Sequence, residues 1–328
     1  MSEKNKEKAL HKTSIGGQAL IEGIMMQGPG GAAVAVRTPD GTIDTEKVTF
    51  KHAKDKFKFL GWPMIRGIVN YVESMMFGYK CLMMSAEKSG LEDLEESEEN
   101  MSKLDKWLNE HINKKVLGVL TAIASVLGVG IAFLLFFYLP TVVTDFINNL
   151  AGEALTDFRA LIEGVMRMMI FVVYIALVSL MKDIKRTFMY HGAEHKTIFC
   201  YENGLELTVE NVKKQSRFHP RCGTSFIFVI IIISVIISSA ISVTFPELRD
   251  KTVIWMAIKL LILPLITGLS YEFIKYAGRH DNIFVKILAA PGLWMQRLTT
   301  KEPDEDMIEV ALAAFNTVVT DNPEDDAI

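Results

Sequence analysis

The stretch MYHGAEHKTIFC, residues 189–200, sets His191 and His195 four apart, with Glu194 directly before the second. On a helix such positions lie one turn apart on one face. Two imidazoles so placed suit a single divalent cation. The string H-x-x-E-H has the spacing of the inverted zincin motif, in which the glutamate activates a metal-bound water. If the helix reaches Glu202, that carboxylate falls on the same face, as a further ligand or as a partner for a histidine. Further along, HPRC supplies His219 and Cys222, and Gly223 after it permits a tight backbone approach. His191, His195, His219 and Cys222 form a sensible tetrahedral set for Zn²⁺. Fe or Mn enters if Glu202 takes the place of Cys222.

Three readings stay open on these residues alone. They can be surface or packing histidines at a helix end, where an imidazolium suits the dipole. They can be a structural metal clip. They can be a catalytic centre with an open coordination position and Glu194 as general base. Glu194 favours the last, because a clip needs no carboxylate beside its ligands.

The elements that must carry these residues are apolar. Half of the 328 residues are hydrophobic. Val116–Leu139 runs 24 residues without a charge, and Thr224–Val243 runs 20. A bilayer core takes roughly 20 apolar residues as helix, so both can span. Leu161–Met181 is a third candidate, carrying only Glu163 and Arg167. Val253–Tyr276 is a fourth, interrupted by Lys259 and Pro264. The charged start MSEKNKEKALHKTS lacks the apolar core of a signal peptide, so none is expected.

Loop charges suggest the orientation. Residues 182–223 hold eight Lys and Arg, against Arg159 alone in 140–160 and Arg249 with Lys251 in 244–252. The positive-inside rule then puts the central segment and both termini in the cytoplasm of a multi-pass cell-membrane protein. Cys81, Cys200 and Cys222 all fall on that side, where disulfides are rare. The net charge of −4 and the acidic runs 91–99 and 302–309 point to solvated segments and to no nucleic-acid partner. The expected partners are the lipid bilayer and a membrane-bound substrate or partner protein.

Five regions follow. Residues 1–100 form a small cytoplasmic α+β region with a β-hairpin, Ala32–Arg37 and Thr42–Phe50, around a Pro-Asp-Gly turn. Its segment 61–87 is an amphipathic, Met-rich surface helix anchored by Trp62. Residues 101–181 hold the first transmembrane pair, Lys103–Leu139 and Leu161–Tyr190, the latter continuing past the membrane. Residues 182–223 are the His/Cys loop, with a short helix Val209–Gln215 capped by Thr208 and a stop at Asn203-Gly204. Residues 224–276 are the second pair. Residues 277–328 hold an amphipathic helix, Asp281–Leu298, and a tail. About the last twenty residues are expected to fray at a chain end. The fold class is thus an α-helical integral membrane protein with four transmembrane helices and a small N-terminal α+β region. Glu163 and Arg167 are expected to pair at i, i+4 or to snorkel. His280 with Asp281, and Tyr271 with Glu272, are weaker candidates for the same face. His11, His52 and His111 carry no assignment.

GGQALIEGIMMQGP, GWPMIRGIV, YHGAEHKTIFCYENG, HPRCGTSF and APGLWMQRLTTKEPDEDMIEVALAAF occur in that order over residues 15–316. Together they resemble the YqhQ-like family of bacterial membrane proteins, whose shared domain has no assigned function. The resemblance implies a multi-pass membrane protein and a metal-dependent enzyme, and it points to the region of His191, His195, His219 and Cys222. It names no metal or substrate. Pro291–Thr300 has no chemistry of its own and is expected to fold against the segment GGQALIEG and cover the site. The function expected is a membrane-embedded metal-dependent hydrolase acting on a membrane peptide or a lipid-linked substrate. The alternative is a metal-stabilised scaffold or assembly factor without catalysis.

Overall fold

In the computed structural model, residues 12–49, 53–90, 114–248, 251–280, 282–320 and 322–327 are described. His11, His52, His111, the acidic run 91–99, the first residues of the expected Lys103 helix and Asp281 lie outside them. The chain is mostly helical, with one small antiparallel sheet.

That sheet is a meander in the order β1 (Gly16–Leu20), β2 (Gly23–Gly28), β3 (Gly31–Arg37), β4 (Ile43–Val48). The expected hairpin is β3–β4, closed by Thr38 N–H donating to the Thr42 carbonyl at 3.0 Å and by Gly41 at φ 85°. Strands β1 and β2 were not anticipated. The segment is glycine-rich at both ends and carried no assignment, and the register Gly16↔Gln27 to Leu20↔Gly23 extends the sheet through it.

Alternation along β3 explains the layers. Ala33 and Ala35 face one side, and Ala32, Val34 and Val36 face the other. The second side packs on Phe77 and Cys81 of α1 (Ile65–Lys88). The first takes two helices that arrive much later in the chain, α5 (Lys182–Glu202) and α10 (Glu305–Val318). Small alanines let these helices approach closely. Helix α10 corrects the expected frayed end: Met307, Ile308, Ala311, Ala314, Phe315 and Val318 recur at helical spacing and are buried in the core. The final residues are tied as well, through a bridge between Thr13 and Ala327.

Four helical stretches are long and apolar enough to cross a membrane: Ile123–Leu150, Thr156–Val178, Phe226–Thr244 and Val253–Ala277. They belong to α2 (Lys114–Phe133) with α3 (Leu139–Leu150), then α4 (Arg159–Val178), α7 (Thr224–Thr244) and α8 (Thr252–Arg279). Large apolar side chains such as Leu177 and Leu261 point outward from them.

Two boundaries differ from expectation. The first helix runs on past Leu139 to Leu150 through a π-helical turn, Leu134–Tyr138. That turn accommodates Pro140, whose missing N–H would otherwise break the ladder. The second helix does not continue to Tyr190. It ends at Val178, and Met181 is extended before α5 begins. No Gly or Pro marks this break. The reorientation lets α5 leave the apolar bundle and lie on the sheet.

Two short helices complete the chain. Helix α6 (Val209–Lys213) has the expected Thr208 cap, which accepts the Asn211 N–H. Helix α9 (Ile283–Thr299) starts at its own cap, Asn282. Helix α1 joins the two halves of the molecule. Gly67 and Gly268 meet where α1 crosses α8, and a Cβ on either would collide with the opposite backbone. Arg66 grips Glu272 beside this crossing in a bidentate pair of 2.6 and 2.5 Å. Asn70 donates to the Tyr271 hydroxyl at 2.7 Å.

Candidate metal centre

Helix α5 carries the chemistry, and three contacts fix its orientation. At its start, Tyr190 donates to Glu22 in the β1–β2 turn at 3.1 Å, and Arg186 pairs with the same carboxylate. In the middle, Gly192 faces the Lys301 carbonyl, which a Cβ would approach to 2.0 Å, so no larger residue fits there. On the sheet side, Glu194 Oε1 accepts the Gly17 N–H at 3.0 Å.

On the remaining face His191 and His195 stand with ring centroids 4.4 Å apart. Each has one ring nitrogen against a backbone carbonyl. His191 Nδ1 lies 2.9 Å from the Thr299 oxygen, and His195 Nδ1 lies 2.6 Å from the Arg217 oxygen. A carbonyl only accepts, so both Nδ1 atoms carry the proton. In its neutral form each ring then presents an Nε2 lone pair. This is the way a metal-ligating histidine is usually oriented by its surroundings. His191 Nε2 reaches Cys222 Sγ at 3.2 Å. The donor atoms of His191, His195 and Cys222 all lie within 4.8 Å of one another. Zn–N and Zn–S bonds of about 2.0–2.3 Å put tetrahedral donors roughly 3.5 Å apart, so the three could hold an ion after a small inward shift.

The other candidates form a second set next to the first. His219 stacks near His195, with centroids 5.6 Å apart. Its Nε2 is 3.4 Å from Glu202 Oε2, and Glu202 also pairs with Arg221 and accepts the Thr13 N–H at 2.9 Å. Burial works to raise the Glu202 pKa. The hydrogen bond to His219, the Arg221 charge and the Thr13 N–H outweigh it and hold the carboxyl below its usual range. His219 titrates lower than usual, because burial outweighs the favourable Glu202 contact. Glu194 lies 5% exposed. Burial pushes its carboxyl up, opposed by the charge of His191 and by the Gly17 N–H.

Sequence reasoning missed the residues that hold the ligands. Gln296 clamps the backbone of His219 from both sides, accepting its N–H at 2.7 Å and donating to its carbonyl at 2.8 Å. Together with the Thr299 carbonyl, this gives the stretch Pro291–Thr300 a role at the site. Its main neighbour is α7, however, and α5 and α10 are the helices that lie on the strands. The expected fold of this stretch against GGQALIEG therefore gives way to packing on α7. Arg221 stood inside the HPRC motif without a role. Gly17 N–H was invisible because its strand was not anticipated. Tyr271 and Glu272 serve the α1–α8 crossing, and His280 stacks on Tyr276 at 4.0 Å.

Beside Cys222 a cleft of about 740 Å³ opens between α1, α7, α8 and α9. That volume falls within the roughly 300–1,000 Å³ usual for ligand sites.

The family model described as "Protein of unknown function (DUF1385)" matches residues 62–321. A relative from Bacillus subtilis (strain 168), "Uncharacterized protein YqhQ", is 35% identical over 312 residues, spanning 93% of this chain and 92% of the relative. No solved structure matches. The family match over most of the chain, together with the 35% identical relative, means that the protein belongs to the DUF1385 family.

Proposed function

We propose that this protein is a membrane-embedded, metal-dependent hydrolase that works at the cytoplasmic membrane face on a membrane peptide or a lipid-linked substrate. One observation carries the reading: two carbonyl-pinned imidazoles and one cysteine bring their donor atoms within 4.8 Å of one another. Zn²⁺ suits these ligands best, with Fe or Mn as alternatives. A bound ion of this kind supplies Lewis acidity and lowers the pKa of water towards neutrality.

The chain's own groups do the rest. Glu194, held by Gly17, accepts a proton from the attacking water and returns it to the leaving group. The water oxygen bonds to the carbonyl or phosphoryl centre as the ester or amide bond breaks. His219 and Glu202 are adjacent alternatives for completing the coordination. The four apolar helices would cross the bilayer, with both termini cytoplasmic by the loop-charge bias.

The test is the metal content of detergent-purified wild type beside His191→Ala/His195→Ala. About one equivalent in the wild type and none in the variant is expected, as a site with nanomolar or tighter affinity would give. No metal in either, after growth with Zn, Fe and Mn, would overturn the reading. Glu194→Gln should then keep the metal and abolish turnover of membrane-lipid or peptide pools followed by mass spectrometry.

A second reading is a metal-clipped scaffold. Its support is the outward face of α1, where Met75, Met76 and Tyr79 are exposed, as is Trp62 ahead of the helix. Such a Met-rich surface adapts readily to partners. Here Glu194→Gln would leave function intact, whereas His195→Ala would misfold the protein.

A further inference from the structure

The cleft next to Cys222 differs in its chemistry from the site it adjoins. Its walls are mainly apolar, formed by residues such as Phe226, Val229, Ile274 and Leu293. Its charged lining is of one sign. Lys12, Arg221 and Lys286 are basic, Arg221 being also the ion-pair partner of Glu202, and no carboxylate lines the cleft among the described residues. Two of its walls, α7 and α8, belong to the helices long and apolar enough to cross a membrane. Arg221 and Cys222 are consecutive, so the positive end of the cleft includes the thiol.

We propose that this cleft binds an anionic, phosphate-bearing membrane lipid, with its head group towards Arg221 and its chain along the apolar wall. The argument is charge complementarity joined to an apolar groove. A free phosphate has no use for the apolar wall, and a zwitterionic lipid gains less from an all-positive lining. As the substrate class of the site, the inference rests on the hydrolase reading. As a binding site, it stands without it.

The protein carries its own reporter. Cys81 and Cys200 are buried, whereas Cys222 is partly exposed. A maleimide added to chelator-treated protein in non-ionic detergent therefore reads the cleft through Cys222. Phosphatidylglycerol in mixed micelles should slow labelling by about tenfold, as expected when a ligand stands at about ten times its Kd. Phosphatidylcholine and inorganic phosphate should not. Lys286→Glu should abolish the protection. Ala289→Trp, which fills the groove, should slow labelling without lipid.

Equal protection by phosphatidylcholine would overturn the anionic head group. Equal protection by inorganic phosphate would overturn the lipid. No protection by any of the three would overturn the site. Labelling needs neither metal nor turnover. Protection by lipid, with no metal found in the purified wild type, would therefore sink the hydrolase reading and keep the lipid site, and metal in the purified wild type without protection would do the reverse.

Discussion

Two regions of this molecule bury polar side chains, and they do so in opposite ways. Within the apolar helices, Lys259 of α8 pairs with Glu163 of α4 and donates to Thr141 at 3.1 Å. Arg159 lies between Asp145, at 2.5 Å, and Glu163, at 3.7 Å. Arg167 does not pair with Glu163 as expected from its spacing. It donates to the Phe136 carbonyl at 2.9 Å in the π-helical turn and to Ser234 at 3.2 Å. The space left there is only about 70 Å³. At the His/Cys corner, by contrast, the polar groups converge without an opposite charge among them. Carbonyls hold the Nδ1 atoms, while Nε2 and Sγ converge, and a wide cleft opens beside them. Charges that neutralise one another join helices. Lone pairs that are aimed and left facing one point are available for a ligand.

The sharpest test of that contrast is metal. Loss of both His191 and His195 should take the content from about one equivalent to none, whereas Glu163→Gln should leave it unchanged, as a site worth roughly 10 kcal/mol or more would require. A metal loss in Glu163→Gln without unfolding would break the comparison.

Next in size is the ion pair. Glu163→Leu or Lys259→Met alone leaves a buried charge without its partner. Each should cost about 3–5 kcal/mol, and the double variant should recover most of it. Unfolding in detergent measures this, and additive losses would show that the two charges do not work as a pair.

A smaller effect is expected from Gln296→Ala. It orphans the N–H and carbonyl of His219 and should cost about 1–3 kcal/mol. If the clamp positions the ligand loop, metal affinity should also fall by roughly 10–100-fold. A stability loss with unchanged affinity would confine Gln296 to structure.

The smallest effect separates the thiols. Burial raises Cys81 from 9.0 to about 11. Between those values the unfolded thiol ionises and the folded one does not, so stability falls as pH rises through that window. Cys81→Ala should lack this alkaline limb, which pH-dependent unfolding would reveal. An identical alkaline limb in the variant would assign the loss to another group.

Much of the molecule was legible because local rules govern it. Runs such as Thr224–Val243 have one sensible solvent, and Thr208 and Asn203-Gly204 carry their own capping chemistry. The H-x-x-E-H spacing depends only on helical geometry. The unread parts depended on distant partners. Strands β1 and β2 are glycine-rich, and they are strands because β3 and two late helices cover them. The end of the chain looked frayed although Met307, Ile308, Ala311, Phe315 and Val318 already had a helical period. Its core lay about 270 residues upstream in sequence.

The sequence by itself determined four apolar helices, a hairpin, and two histidines one turn apart with a cysteine further on. Those follow from composition and from backbone periods of 3.6 and 2. Only the tertiary structure decided which ring nitrogens are pinned, because the Thr299 and Arg217 carbonyls come from elsewhere in the chain and no side-chain code marks them. It also decided that Cys222 joins His191 and His195 while His219 turns to Glu202, and that a cleft lies beside the thiol. Those are outcomes of packing, set by where α5 breaks from α4 and where α9 lies on α7.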